Sequence, residues 1–490
     1  MYLGIADTLV SAVAAAIVGI SSVGSPVQAA PAWPSLQLAP CGGSDLPQAS
    51  QCGTFSVAED PRRSPARILS LKLVVLPARS KHPLEPVFYL PGGPGGAATS
   101  AARRLGDSWV RAEHTIVLLN PRGSDPATGL SCPIESKENL ERDMAPLFTE
   151  GETYWRVCRE ALEKQADLTK YTTLNSIADI EALRRALGYG KIDLFGGSYG
   201  TRTAIAYLHA YGRHVRAALL TGLVPITNRG PLFHAEAAQR AFDRLVADCS
   251  AETACKSAFP TVRQDLAQIL SRLQKEPAPV TINHPTTGVP TEVMLTAPEF
   301  ADSLRVMMYD VEGGRRVPLL LHRAVGGDLQ PFAQAAVENG RTFRGSLRLG
   351  LTLSATCPED VARIRAEEVA AATSGSFMQD DRVRGQMTAC SVWPKASISA
   401  SYFEPFVSLV PTVLVSGELD PVTPPKWGEE ARKILPNSVH LITRDAHADV
   451  NPCVAGIAAE VFRSGSLQTL NTGCMARETL PPFQSSLAAP

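Results

Sequence analysis

Between Lys191 and Arg202 the chain reads KIDLFGGSYGTR. A serine stands among glycines, just after a short apolar run and just before a helix-forming stretch. The spacing Gly196-Gly197-Ser198-Tyr199-Gly200 is that of a serine nucleophile carried on a sharp strand-to-helix turn. Such a turn strains the backbone, and bulky neighbours would clash, so the glycines have a physical task. The turn would lift Ser198 Oγ above the end of the strand, over a helix N-terminus whose dipole favours developing negative charge. The plainer reading is a glycine-rich connection with no chemistry.

A serine needs a base, and the base needs an orienting acid. On this kind of turn the order along the chain is serine, acid, histidine. Asp420 ends the run VLVSGELD, and His447 follows the run SVHLIT in RDAHADV. The competing histidine, His440, falls inside that last run. Glu418, Asp445 and Asp449 are competing acids. Glu418 comes two residues before Asp420, and the other two adjoin His447 too closely in sequence to face its ring. Two backbone N–H groups must hold the oxyanion. Tyr199 supplies one by position. The other is expected from PGGPGG (Pro91 to Gly96), from Gly93 or alternatively Gly92, where glycines let the backbone approach a substrate carbonyl.

These residues need a frame. Alternating β-formers in RILSLKLVVLPA (67–78) predict strands, and so do Val87 to Leu90, His114 to Gly123, the KIDLFGG run and Ala217 to Pro225. Apolar residues at helical spacing predict a helix over Ser176 to Gly188, capped by Ser176, and another over Thr201 to Val215. Strands alternating with helices imply a mostly parallel sheet flanked by helices. From about Pro225 to Ala400 the pattern is mostly helical, and strands return at Pro411 to Pro425 and Ser438 to Thr443. The expected layout is a leader (1–29), a first part of the core (30–225), an inserted helical cap or lid (226–400), and a C-terminal part of the core (401–490).

The chain has 490 residues and a formal net charge of −1, which gives no electrostatic case for nucleic acid or an acidic membrane surface. The apolar run Leu9 to Ile20 ends near Val27-Gln28-Ala29, a small-residue cleavage pattern of a secretory signal peptide. It is short for a membrane span. Asp7 stands where a Lys or Arg is usual, so a wrongly placed start codon and an N-terminal anchor are the alternatives. Ten cysteines fall in five local pairs with no CxxC metal pattern. In an exported protein they read as disulfides between neighbours: 41–52, 132–158, 249–255, 357–390 and 453–474.

Taken together, LPGGPGG, NPRGSD, GGSYGT, GELDPVTPP and the late histidine resemble the proline iminopeptidase and tripeptidyl aminopeptidase branch of the α/β-hydrolases. CGTFSVAEDP, Cys132-Pro133, YTTLNSIADIEALRRALG and the last cysteine pair are similar to the secreted tripeptidyl-aminopeptidase-like members. The resemblance runs from about Cys41 to Cys474. It departs at Pro91, where the family has histidine, at Asn120-Pro121-Arg122-Gly123, and at Ala446 and Ala448, which replace glycines. It implies an α/β-hydrolase fold with a helical cap. It also implies a secreted or cell-envelope serine exopeptidase that removes residues or short peptides from free N-termini, without metal or cofactor. A carboxylate in the cap would pair with the substrate ammonium. By resemblance Glu359 and Asp360 of CPED take that role, although acids there also suit the start of the helix that follows. An esterase or lipase-like hydrolase is the alternative activity, and a catalytically inert binding protein is the reading from another class.

Overall fold

The computed structural model describes residues 36–42, 46–133 and 138–486. The expected leader lies outside the described residues. A nine-stranded sheet organises the rest: β1 (Gln37–Pro40), β2 (Gln51–Ala58), β3 (Ile68–Leu76), β4 (Leu84–Leu90), β5 (His114–Leu119), β6 (Ile192–Gly197), β7 (Val215–Thr221), then β10 (Thr412–Gly417) and β11 (Ser438–Thr443). The spatial order is β1-β2-β3-β5-β4-β6-β7-β10-β11. The β1–β2, β2–β3 and β3–β5 pairings are antiparallel, and every pairing from β5 to β11 is parallel.

The central strands read as continuous apolar runs because both their faces are covered. Leu194, Ala217, Leu219, Val413 and Leu414 are all fully buried. One side of the sheet packs on the helices Thr173–Ala186 and Tyr199–Tyr211, the other on Pro452–Ser464. The first of these begins three residues before the expected Ser176. Thr172 is its cap, accepting a hydrogen bond from Asn175 N, and the chain leaves it at Gly188 with φ +74°.

The chain leaves the sheet after Thr221 and returns at Thr412. Between them lie nine helices with their own apolar core, built around Phe242, Ile269, Phe300 and Phe332. This block also holds a hairpin, β8 (Ala278–Asn283) with β9 (Pro290–Leu295), which departs from the expected helical run. Its alternation is short, and Pro279 and Pro290 mask it. All ten cysteines pair with their neighbours as the spacing suggested.

Candidate active site

The turn after β6 does what its glycines suggested. Ser198 has φ +53° and ψ −125°, a left-handed conformation that a side chain adopts only when its surroundings enforce it. Ser198 N donates to Thr221 O at 2.8 Å, which ties the turn to the end of β7. A Cβ on Gly200 would stand 2.0 Å from Leu90 O, and one on Gly196 would stand 2.7 Å from Gly200 O. The helix therefore packs against the end of β4 only because Gly200 lacks a side chain, and it starts this close to β6 only because Gly196 does.

Ser198 Oγ lies 2.9 Å from His447 Nε2, and His447 Nδ1 lies 2.9 Å from Asp420 Oδ2. Asp420 is 0% exposed. Val422 N and Thr423 N donate to its Oδ1 at 2.8 and 2.7 Å, and the Thr423 hydroxyl donates to Oδ2 at 2.6 Å. Burial pushes the carboxyl up, but His447 and the Thr423 donors outweigh it and hold it below the usual range. An anion facing Nδ1 makes that nitrogen the protonated one, leaving Nε2 to accept from Ser198.

Three of the four competing residues have other partners. His440 contacts Glu429 at 2.6 Å and Ser416 Oγ at 3.0 Å. Glu418 pairs with Arg244 at 3.0 Å, and Asp445 accepts from Asn451.

The cleft over Ser198 is about 370 Å³, and Gly92, Gly93 and Tyr199 form part of its wall. A Cβ on Gly92 would stand 3.0 Å from Ser198 Cβ, so this loop crosses directly over the nucleophile. Gly93 has φ +126°, open to glycine alone. The helix Leu349–Glu359 holds the loop from above, with Thr352 Oγ1 donating to Pro94 O at 2.5 Å.

Sequence reasoning missed Tyr309. Its backbone O accepts from His447 N at 3.0 Å, and its ring meets the imidazole edge-on at 4.9 Å. It lies 138 residues before His447 in a stretch with no motif, so no local pattern points to it.

CPED divides into two roles. Asp360 reaches the cleft wall and pairs with Arg202 at 2.6 Å and Arg363 at 3.3 Å. Glu359 does not reach the cleft: it is 0% exposed. Its oxygens face Thr173 N, Thr173 Oγ1, Tyr199 Oη and Tyr402 Oη, all at 2.7 to 3.1 Å. The helix turns its carboxylate inward, so the expected direct contact with a substrate ammonium is corrected for Glu359. Among the described residues no three His, Cys, Asp or Glu side chains gather as metal ligands would.

A serine on a strained turn, polarised by an oriented imidazole beneath a glycine loop, is the site of a serine hydrolase. The chain belongs to the α/β-hydrolase fold family, whose pattern matches residues 85–450. Among characterised relatives, the serine protease Hip1 of Mycobacterium tuberculosis is 27% identical over 440 residues, covering 82% of each chain. The tripeptidyl aminopeptidase of Streptomyces lividans is 23% identical over 478 residues, covering 89% of this chain and 86% of the relative. A proline iminopeptidase of Xylella fastidiosa is 31% identical over 169 residues, 33% of this chain and 42% of the relative.

Proposed function

We propose that this serine hydrolase is an exported aminopeptidase that cleaves residues or short peptides from free N-termini. The observation that carries the reading is Asp360. Among the described residues it is the sole carboxylate on the wall of the cleft that also holds Ser198 and His447. The peptidase relatives support the reaction class, and five disulfides support an oxidising compartment.

Ser198 Oγ attacks the scissile carbonyl while its proton passes to His447 Nε2. Asp420 steadies the imidazolium through Nδ1–H. The N–H groups of Gly93 and Tyr199 hold the oxyanion. Collapse expels the amine, which takes the proton from Nε2, and leaves an acyl-enzyme. Water, deprotonated by the same imidazole, then releases the acyl group. Asp360 receives the substrate ammonium at Oδ2, since both arginine partners bond to Oδ1.

The test is hydrolysis of mono-, di- and tripeptidyl anilides, their N-acetylated versions and a short acyl ester, with Ser198→Ala as control. Turnover confined to free-amine peptides and absent in Ser198→Ala is expected. Ester turnover indifferent to a free amine would overturn the reading in favour of an esterase.

A further inference from the structure

Six arginines are buried among the described residues: Arg122, Arg184, Arg202, Arg305, Arg315 and Arg382. Five have a carboxylate within 4 Å, respectively Asp179, Glu181, Asp360, Asp302 and Asp248. Arg382 has none. A buried cation without a counter-ion is costly, and proteins retain one where a ligand supplies the missing charge.

Arg382 sits on the helix Asp381–Val392 and is 7% exposed, and what it does expose belongs to the cleft over Ser198. Its Nη1 donates to Gln386 Oε1 at 2.6 Å, and its guanidinium lies 4.9 Å from the centre of the Phe148 ring. Its Nε is buried with no hydrogen-bond partner. An amide dipole and a ring face orient a guanidinium without neutralising it. Burial and the nearby Arg305 lower its pKa to about 10 against a weaker opposing pull from Asp302, which Arg305 already engages, so it stays charged at neutral pH.

The surroundings are short of negative charge. Among the described residues the cleft wall carries Arg305, Arg348 and Arg382 against the one carboxylate of Asp360, whose Oδ1 is already paired. Arg305 is engaged by Asp302 and donates to Tyr309 Oη at 2.7 Å. His234 also lines the cleft, with Nδ1 buried and unpartnered. Burial, together with Arg382, Arg305 and His447, holds its pKa far down, so it is neutral and adds no balancing charge.

We propose that Arg382, oriented by Gln386, binds a carboxylate of the substrate, so that the cleft selects short peptides bearing an anionic group. The planar fork of a guanidinium matches a carboxylate, and the cleft keeps water from competing. The carboxylate comes either from a free C-terminus or from an acidic side chain. The choice of peptides as ligands rests on the aminopeptidase reading above.

The experiment measures protection of Ser198 in the whole protein against a fluorophosphonate label. The competitors are Ala-Ala-Ala against its C-terminal amide, and Ala-Glu-Ala amide against Ala-Gln-Ala amide. In wild type the acidic member of one pair protects at a concentration ~10-fold or more below its neutral twin, as a charge-assisted bidentate contact implies. The first pair assigns the preference to a C-terminus, the second to a side chain. In Arg382→Met the ratio falls to about one. Because the ratio is taken within each variant, partial loss of folded protein cancels. Arg382→Gln makes the same comparison where the apolar replacement does not fold. Equal protection within both pairs, protection by no peptide, or a preference that survives in both variants would overturn the proposal. Hydrolysis of the same peptides is followed separately. Protection without hydrolysis keeps the carboxylate site and removes the peptidase reading, and hydrolysis without acid preference does the reverse.

Discussion

At the scale of single residues, the site rests on a chain of three hydrogen-bonded groups whose last member is held in place by Thr423. Ser198→Ala should abolish fluorophosphonate labelling and lower kcat by ~10⁴-fold or more. Asp420→Asn should lower kcat by ~10³ to 10⁴-fold while labelling persists at a reduced rate, because the neutral amide no longer favours the Nδ1–H tautomer. Thr423→Val removes one donor to a buried carboxylate and should cost about tenfold in kcat with little change in KM. Glu359 is a different kind of acid. Burial raises its pKa above the ordinary 4.5, although Arg202 and the Thr173 donors pull the other way. A raised folded-state pKa means that its contribution to stability is fully present below pH 4.5 and is lost as pH rises through the folded value. Glu359→Gln cannot ionise, so its Tm relative to wild type should climb as pH rises above 4.5, in melts run from pH 4 to 8. Glu359→Ala leaves the Tyr199 and Tyr402 hydroxyls without their acceptor and should cost about 2 to 4 kcal/mol at any pH in that range.

At the scale of elements, Ser198 is positioned by close approach more than by contacts of its own. The helix Tyr199–Tyr211 meets the end of β4 at Gly200, where a methyl group would overlap Leu90 O. Gly200→Ala should therefore push the helix outward and remove activity even in protein that remains folded by circular dichroism. The turn after β5, where Asn120-Pro121 departs from the family pattern, keeps its arginine for a structural reason. Arg122 makes two 2.7 Å bonds to Asp179 and donates to Glu59 O and Lys170 O, linking β5 to the helix Thr173–Ala186. Removing one side of that buried pair strands the other, so Arg122→Ala should cost about 3 to 5 kcal/mol in denaturant unfolding.

At the scale of the whole molecule, the helical block reaches the reaction centre at several points. Tyr309 O holds the His447 loop, Thr352 holds the glycine loop, and Asp360 and Arg382 furnish the wall. The disulfide Cys357–Cys390 joins the helix that ends beside Asp360 to the helix that carries Arg382, closing 33 residues of chain. Replacing both cysteines by alanine should cost about 3 to 4 kcal/mol. It should also impair peptide turnover more than labelling by a small fluorophosphonate, since the small probe needs the core and the peptide needs the wall. A rise in KM for peptides with an almost unchanged labelling rate is the expected pattern.

Much of this was legible in the linear sequence. A parallel sheet advertises itself through apolar runs alternating with helical periodicity, because strands covered on both faces tolerate little else. Ser198, Asp420 and His447 sit at strand ends, and a strand end is a local property that composition and turn residues mark. Cysteine pairing between neighbours was legible for the same reason. What lay beyond reach depends on how distant segments meet. Nothing near Tyr309 announces that its carbonyl will hold His447. Glu359 and Asp360 are adjacent, with the same charge and the same local setting, yet one ends up among the Thr173, Tyr199 and Tyr402 donors and the other in the cleft. Arg382 reads as one more charge in the helical block, and only the folded chain shows that, among the described residues, no carboxylate comes within 4 Å of it. Which direction a helical side chain faces is decided by the elements packed around it, and that information is spread over hundreds of residues. The sequence alone therefore pointed to Ser198, Asp420, His447 and the sheet that carries them, while the tertiary structure decided that the three meet and which charges line the cleft above them.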